Sequence, residues 1–223
     1  MDELEKEISS ENWMREVINI GGVTDSYQPA EAEYKLMPQI LKLLIKYKAP
    51  AIISTKSNLV MRDYDLIDEL SRITYINVAA IITTMDELIR SKIEPGGSTS
   101  SDRFEFLKAF RQTNASTGVH LMPIIPYMTD TEQNFDSMFN IASQCHVHYV
   151  LSGTLYLRGC TRQYFMSFVE KEFPDVYERM TQLYKTGGAD KEYKTGLYEK
   201  VNRLRDKYNL SSSYMKPMRE KLR

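Results

Sequence analysis

The sequence predicts an α/β fold of parallel strands alternating with helices, arranged as a βα barrel or an open sheet. Three observations carry that prediction. Five short β-branched or apolar runs recur along the 223 residues, a helical apolar spacing follows each of the first four, and the chain after the fifth is helical only. The runs are Glu16–Val23, Pro50–Thr55, Tyr75–Ile82, Val119–Ile125 and Val147–Gly153. Strands buried on both faces read as continuous apolar runs, which is why they point to a parallel sheet with right-handed crossovers.

The first element in order is the acidic segment 1–15. Its Leu4, Ile8 and Trp13 stand near helical spacing, so a helix is expected to fold back toward the first strand, whose edge would otherwise be open. Leu36, Ile40, Leu43, Leu44 and Tyr47 then mark one crossover helix, and Phe104, Leu107 and Phe110 another. Beyond the fifth strand, Phe165, Phe168 and Phe173 precede a break at Pro174. A helix over 176–184, a Gly187-Gly188 hinge and a last helix near Lys191–Tyr208 follow. The reading divides the chain into a sheet-bearing unit, 1–158, and a helical C-terminal extension, 159–223, packed on it.

Composition narrows the partners. The chain has 29 basic and 30 acidic side chains, and this balance gives no support for a polyanion-binding field. Charge is uneven locally: residues 1–16 carry six acids and two bases, residues 191–223 ten bases and four acids. The basic tail reads as a solvated helix face with pairs such as Glu199 with Arg203, or as a patch for nucleic acid or a neighbouring subunit. Two cysteines, Cys145 and Cys160, are too few for a disulfide framework, and the first residues lack a signal-peptide pattern. With no apolar run near the ~18–20 residues of a membrane span, a cytoplasmic protein with no membrane association is expected.

Strongly punctuated loops follow the strands, and in either architecture they open on one face, which is the predicted site. After the first strand come Gly21-Gly22-Val23-Thr24-Asp25-Ser26-Tyr27-Gln28-Pro29. The glycines permit close backbone approach to a ligand, while Thr24 and Asp25 offer acceptors; a plain turn with a helix start is the alternative. After the second come Ser54-Thr55-Lys56-Ser57-Asn58, in which Lys56 could hold a carboxylate or phosphate, or could simply reach solvent. Asp63 is expected to begin a helix, and Arg62 to pair with Asp65. Cys145, His146 and His148 cluster in sequence, but strand alternation would place Cys145 opposite the histidines, so no metal site is expected.

The stretches GGVTDSYQPAE, TKSNLVMRDYDL, IEPGG with Arg103 downstream, and MPIIPYMTD together resemble the radical S-adenosylmethionine enzymes of the spore-photoproduct-lyase-like branch, often labelled DNA repair photolyases. The resemblance runs from about Val17 to Leu157 and implies a partial six-stranded (β/α) barrel, of which about five strands are recognised here. In that family the first strand ends in a Cys-x-x-x-Cys-x-x-Cys loop holding a [4Fe-4S] cluster, to which S-adenosylmethionine binds. Here no cysteine precedes Cys145, and the first strand already carries the loop that the resemblance assigns to the family's second. The N-terminal cluster segment is therefore read as lacking, no cluster is expected in this chain, and the chain alone should not make the radical.

Carried over residue by residue, the resemblance makes Lys56, with Ser57 beside it, the partner of the methionyl carboxylate. It places Thr24 and Asp25 near the amino group, and Thr83 just beyond Ile81, which stands where the family often has serine. Tyr27, Gln28, Tyr127, Tyr156 and Arg158 would line the substrate side, and Glu94 with Arg103 would fix a loop. The implied partners are the missing cluster-bearing segment or a second copy pairing through the exposed strand edge. Nucleic acid enters only through the family's label. A binding module without redox chemistry, for S-adenosylmethionine or a nucleoside, and a purely interacting protein with a decayed site are the alternatives.

Overall fold

A computed structural model describes residues 1–222. Its centre is one five-stranded sheet, all parallel, in the spatial order β1 to β5: β1 (Ile18–Ile20), β2 (Ala51–Thr55), β3 (Ile76–Ile81), β4 (Ser116–Ile124) and β5 (Tyr149–Thr154). Sequential order in space means that every strand lies beside its successor, the simplest outcome of repeated right-handed crossovers. The register starts at Ile18 opposite Ala51 and Ala51 opposite Ile76, so the amino ends align.

The helices are α1 (Asp2–Ile8), α2 (Glu31–Tyr34), α3 (Leu36–Tyr47), α4 (Tyr64–Ile73), α5 (Glu87–Ile93), α6 (Ser100–Phe110), α7 (Glu132–Gln144), α8 (Gly159–Glu172), α9 (Pro174–Leu183), α10 (Lys191–Lys207) and α11 (Met215–Leu222). A 3-10 segment, Asn58–Asp63, leads into α4. Apolar stripes on α3, α4, α6 and α7 cover the convex face of the sheet: Leu41, Leu44, Ile67, Leu70, Phe110 and Phe135 are buried against Ile53, Val78, Ala80 and Val119. Each buried aliphatic or aromatic side chain contributes about 1.5–3 kcal/mol of transfer free energy, so this layer dominates the fold's stability.

Helix α1 docks on the end of α3, where Glu5 accepts hydrogen bonds from Lys46 Nζ at 2.7 Å and Tyr47 Oη at 2.9 Å. Ile8 is buried and Trp13 packs on the main core, so the acidic segment does fold back. The strand runs read from sequence overestimate β1, which keeps three of eight residues because only Ile18–Ile20 find register partners on β2.

The helical segment after β5 splits in its packing. Helices α8 and α9 build a smaller apolar cluster around Met166, Val169, Met180 and Tyr184, whereas Leu197, Val201 and Leu204 of α10 enter the main core. Lys207 and Arg203 reach Asp136 (2.6 Å) and Glu132 (2.8 Å) on α7. The expected pairing of Arg203 with Glu199 is thus replaced by a link between helices. The Gly187-Gly188 hinge is pinned: Gly187 O accepts from Leu157 N–H at 2.7 Å, and Gly188 bridges Tyr156. No helix among the described residues is long and apolar enough to cross a membrane.

Candidate functional site

The curved sheet encloses a cavity of about 640 Å³ on its concave face, within the usual range for small-molecule sites. Strand alternation sets its walls. Asn19 of β1, Ile52 and Ser54 of β2, Ile81 of β3, His120 and Met122 of β4, and Leu151 of β5 face it, and Gly21 and Gly22 line it at the carboxyl end of β1. Tyr214, Met215 and Met218 close it from the other side. Pro217, Glu220 and Lys221 lie beside Tyr75, Ser116 and His148, which stand at the amino ends of β3, β4 and β5, so α11 forms the floor of this lumen.

A line of hydrogen bonds crosses the lumen wall from strand to strand. Ser54 Oγ stands 3.4 Å from His120 Nδ1, His120 Nε2 is 3.2 Å from Tyr149 Oη, and Tyr149 donates to Asn77 Oδ1 at 2.8 Å. Asn77 Nδ2 in turn donates to Ser116 Oγ at 3.0 Å. Burial holds the His120 imidazole down at about 4 and pushes the Tyr149 phenol up, so both are uncharged near neutrality. The strand needs a glycine to admit this arrangement: a Cβ on Gly118 would stand 2.2 Å from the Tyr149 ring.

The sequence-predicted cofactor residues form a separate group at the carboxyl rim, and none of Thr24, Asp25, Lys56, Ser57 and Thr83 is among those lining the lumen. Lys56 Nζ lies 2.9 Å from Glu94 Oε1, which also accepts from Thr83 Oγ1 at 2.7 Å. Arg103, fully buried, lies 2.7 Å from the other Glu94 oxygen and donates to the carbonyls of Ile81 and Ser98. Burial pushes the Glu94 carboxyl up, but Arg103 and Lys56 outweigh it and leave the group below its usual range. The expected Glu94–Arg103 pair is present, and it recruits Lys56 as well. A third of the Lys56 side chain stays exposed, leaving ammonium donors free to face a ligand.

Asp25 spends its carboxylate on the chain itself. It accepts from Tyr27 N–H (2.9 Å), Thr55 Oγ1 (2.7 Å) and Lys56 N–H (2.6 Å), which fastens the first loop to the second. It acts as a loop staple here, in place of the expected free acceptor. Ser57 caps the 3-10 segment through Leu59 N–H, and Thr24 is exposed beside Gln28 in a side groove of about 230 Å³.

Four substrate-side residues and one expected ion pair are corrected or relocated. Tyr27 is 1% exposed and its hydroxyl donates to Asp63 at 3.0 Å, so it is core and lines no mouth: a phenol beside an apolar helix gains more from burial with one partner than from water. Arg62 pairs with Asp63 and Glu31, not Asp65, because the 3-10 turn brings Asp63 inward to Tyr27. Tyr127 faces a different cavity, of about 510 Å³, against Tyr193 and α10, with the Arg179 guanidinium 4.0 Å above its ring. Tyr156 and Arg158 stack on one another at the surface, 4.8 Å apart.

The thiols stand apart in role. Cys145 is the buried C-cap of α7, where burial raises its thiol, and Cys160 is exposed on α8. His148 is engaged structurally, accepting from Thr117 N–H at 2.9 Å with Arg111 at 2.9 Å from its other nitrogen. Among the described residues no group of three His, Cys, Asp or Glu side chains is placed to hold a metal ion. This donor set does not fit a [4Fe-4S] cluster, which needs converging thiolates.

Against solved structures, the chain aligns over 93% of its length with a double mutant of spore photoproduct lyase carrying bound AdoMet and dinucleoside spore photoproduct, at TM-score 0.66 and 13% identity. A tyrosine mutant of the same enzyme gives TM-score 0.65 over 92% at 11% identity. The fold is that of spore photoproduct lyase. This matches the partial barrel implied by the four sequence stretches, with five parallel strands. The chain spans 62% of that enzyme's length. It is 31% identical over 212 residues to an uncharacterized protein of Mycobacterium tuberculosis, covering 95% of the chain and 62% of that protein. An uncharacterized protein of Methanocaldococcus jannaschii is 29% identical over 161 residues, covering 72% of the chain and 58% of that protein. No family model matches the sequence.

Ser54, Asn77, His120 and Tyr149 were not among the residues singled out from sequence. The available signal was polarity inside a buried parallel run: Ser54 in AIIST, Asn77 in INVAAI and His120 in VHLMPII are side chains that need a partner or a ligand.

Proposed function

We propose that this chain is the barrel portion of a radical S-adenosylmethionine protein of the spore-photoproduct-lyase-like branch, whose lumen takes S-adenosylmethionine or a nucleoside. The observation that carries the reading is the 640 Å³ lumen on the concave face of a sheet sharing the fold of an enzyme solved with AdoMet. The sequence stretches named above support the branch. When bound to its cluster, S-adenosylmethionine supplies a 5'-deoxyadenosyl radical. The thiols of this chain do not fit that cluster, so radical formation would require ligands from another segment or chain.

Lys56 stands at the carboxyl rim, outside the lumen lining, as the cation that a methionyl carboxylate extending from the lumen would meet. Glu94 orients it, and Arg103 keeps Glu94 charged when the ligand competes for the ammonium. Ile81 offers that carboxylate no hydroxyl, which favours the second reading, a binding module for a nucleoside without redox chemistry. Without iron to hold its amino and carboxylate groups, S-adenosylmethionine should bind weakly. Calorimetric titration of wild type and Lys56→Ala checks the assignment: removing the ammonium is expected to weaken S-adenosylmethionine about tenfold, the size of a charge-assisted contact, while leaving adenosine affinity unchanged. Equal S-adenosylmethionine affinity in both proteins would remove Lys56 from the site.

A further inference from the structure

The line of hydrogen bonds across the lumen takes its direction from the orientation of the Asn77 amide. Asn77 Nδ2 donates to Ser116 Oγ, and with the amide in this orientation Asn77 Oδ1 faces Tyr149 as an acceptor. Tyr149 must then donate its one proton to Asn77, and its oxygen can only receive, so His120 Nε2 carries the hydrogen. A neutral imidazole with Nε2–H has a bare Nδ1, and Nδ1 faces Ser54, whose hydroxyl lies at 3.4 Å. That contact is the longest of the four, against 3.2, 2.8 and 3.0 Å for the others. Both groups belong to the lumen lining, Ser54 on β2 and His120 on β4, and they reach each other across β3.

We infer that Ser54 and His120 form a donor–acceptor pair that reads a planar ligand edge carrying one hydrogen-bond donor beside one acceptor, as an amidine or amide edge of a heterocyclic base does. The ligand's N–H takes His120 Nδ1, and the Ser54 hydroxyl, released from its weak contact, donates to the adjacent ligand acceptor. Tyr149 and Asn77 act on this edge as positioning residues: their hydrogen bonds hold the His120 tautomer. An anionic group is rejected at this spot, because it would meet the Nδ1 lone pair. This inference rests on the reading of the lumen as a nucleoside site and names which part of the nucleoside is read and by what.

Two nucleosides test it. Adenosine offers the adjacent donor and acceptor, and purine riboside lacks the donor. In wild type adenosine should bind about tenfold more tightly, one hydrogen bond to a buried acceptor. In His120→Phe that ratio should fall to near one, and in Ser54→Ala both ligands should weaken by a few-fold with the ratio kept. Nitrogen-15 spectra of the unliganded protein should show His120 protonated at Nε2 only, and Tyr149→Phe should erase that preference while the protein stays folded. If the adenosine to purine riboside ratio is unchanged in His120→Phe, or if the free protein shows an Nδ1–H tautomer, the inference is overturned and the lumen reading stands. If neither nucleoside binds wild type, both fall together.

Discussion

At the residue scale, His120 and Glu94 make the molecule sensitive to acid, and in the same direction. His120 is held down at about 4 by burial, against about 6.5 in an unfolded chain. Between those values the unfolded state binds a proton that the folded state refuses, so stability is lost as pH falls through that window. The loss reaches about 3 kcal/mol once both states are charged. Glu94, lowered against burial by Arg103 and Lys56, adds stability above the ordinary carboxylate range that is likewise lost on acidification. Denaturant melts between pH 7 and pH 4 should therefore show a steady decline beginning below about pH 6.5, and His120→Phe should flatten its upper part. A wild-type curve flat from pH 7 to 5 would contradict the burial of His120.

At the element scale, glycines distinguish a packed strand from an exposed helix. Gly118 in β4 leaves room for Tyr149, whose ring atoms would lie 2.2–2.6 Å from an added Cβ. Gly118→Ala should displace the ring, break its bond to Asn77 and cost about 1–3 kcal/mol, lowering Tm by several degrees. Gly196, inside α10 with nothing within 4 Å of an added Cβ, should behave oppositely, with Ala raising stability by about 0.8–1 kcal/mol. Thermal melts of the two variants separate packing from propensity. The helix ends follow sequence chemistry: Thr99 with Asp102 forms a capping box for α6, Thr131 and Asp190 cap α7 and α10, and Pro174 opens α9.

At the scale of the whole molecule, the two margins of the sheet differ. On β5, Val150 N–H donates to Ser211 O and Thr154 N–H to Tyr198 Oη, so the C-terminal segment occupies that edge. Among the described residues the only strand neighbour of β1 is β2, and an open strand edge is a template for pairing. Two-fold pairing of β1 with its copy predicts a mass in sedimentation equilibrium that rises toward a dimer with concentration. A strict monomer at high concentration would remove that pairing. Of the bases on α10, Arg203 and Lys207 are drawn to Glu132 and Asp136 on α7.

The parallel α/β architecture, the order of its elements and the loops that gather at the carboxyl rim are legible in the residues alone, because periodicity and turn chemistry act over a few residues. Tertiary structure decided what each polar side chain meets. Asp25 and Tyr27 look like ligand contacts in a polar loop, yet one staples Lys56 and Thr55 while the other is buried on Asp63. Ser54, His120, Tyr149 and Asn77 look like interruptions in apolar runs, yet four strands bring them onto one wall. The reason is register: partners 29 to 72 residues apart become neighbours only when the strands align, and no local pattern encodes that alignment.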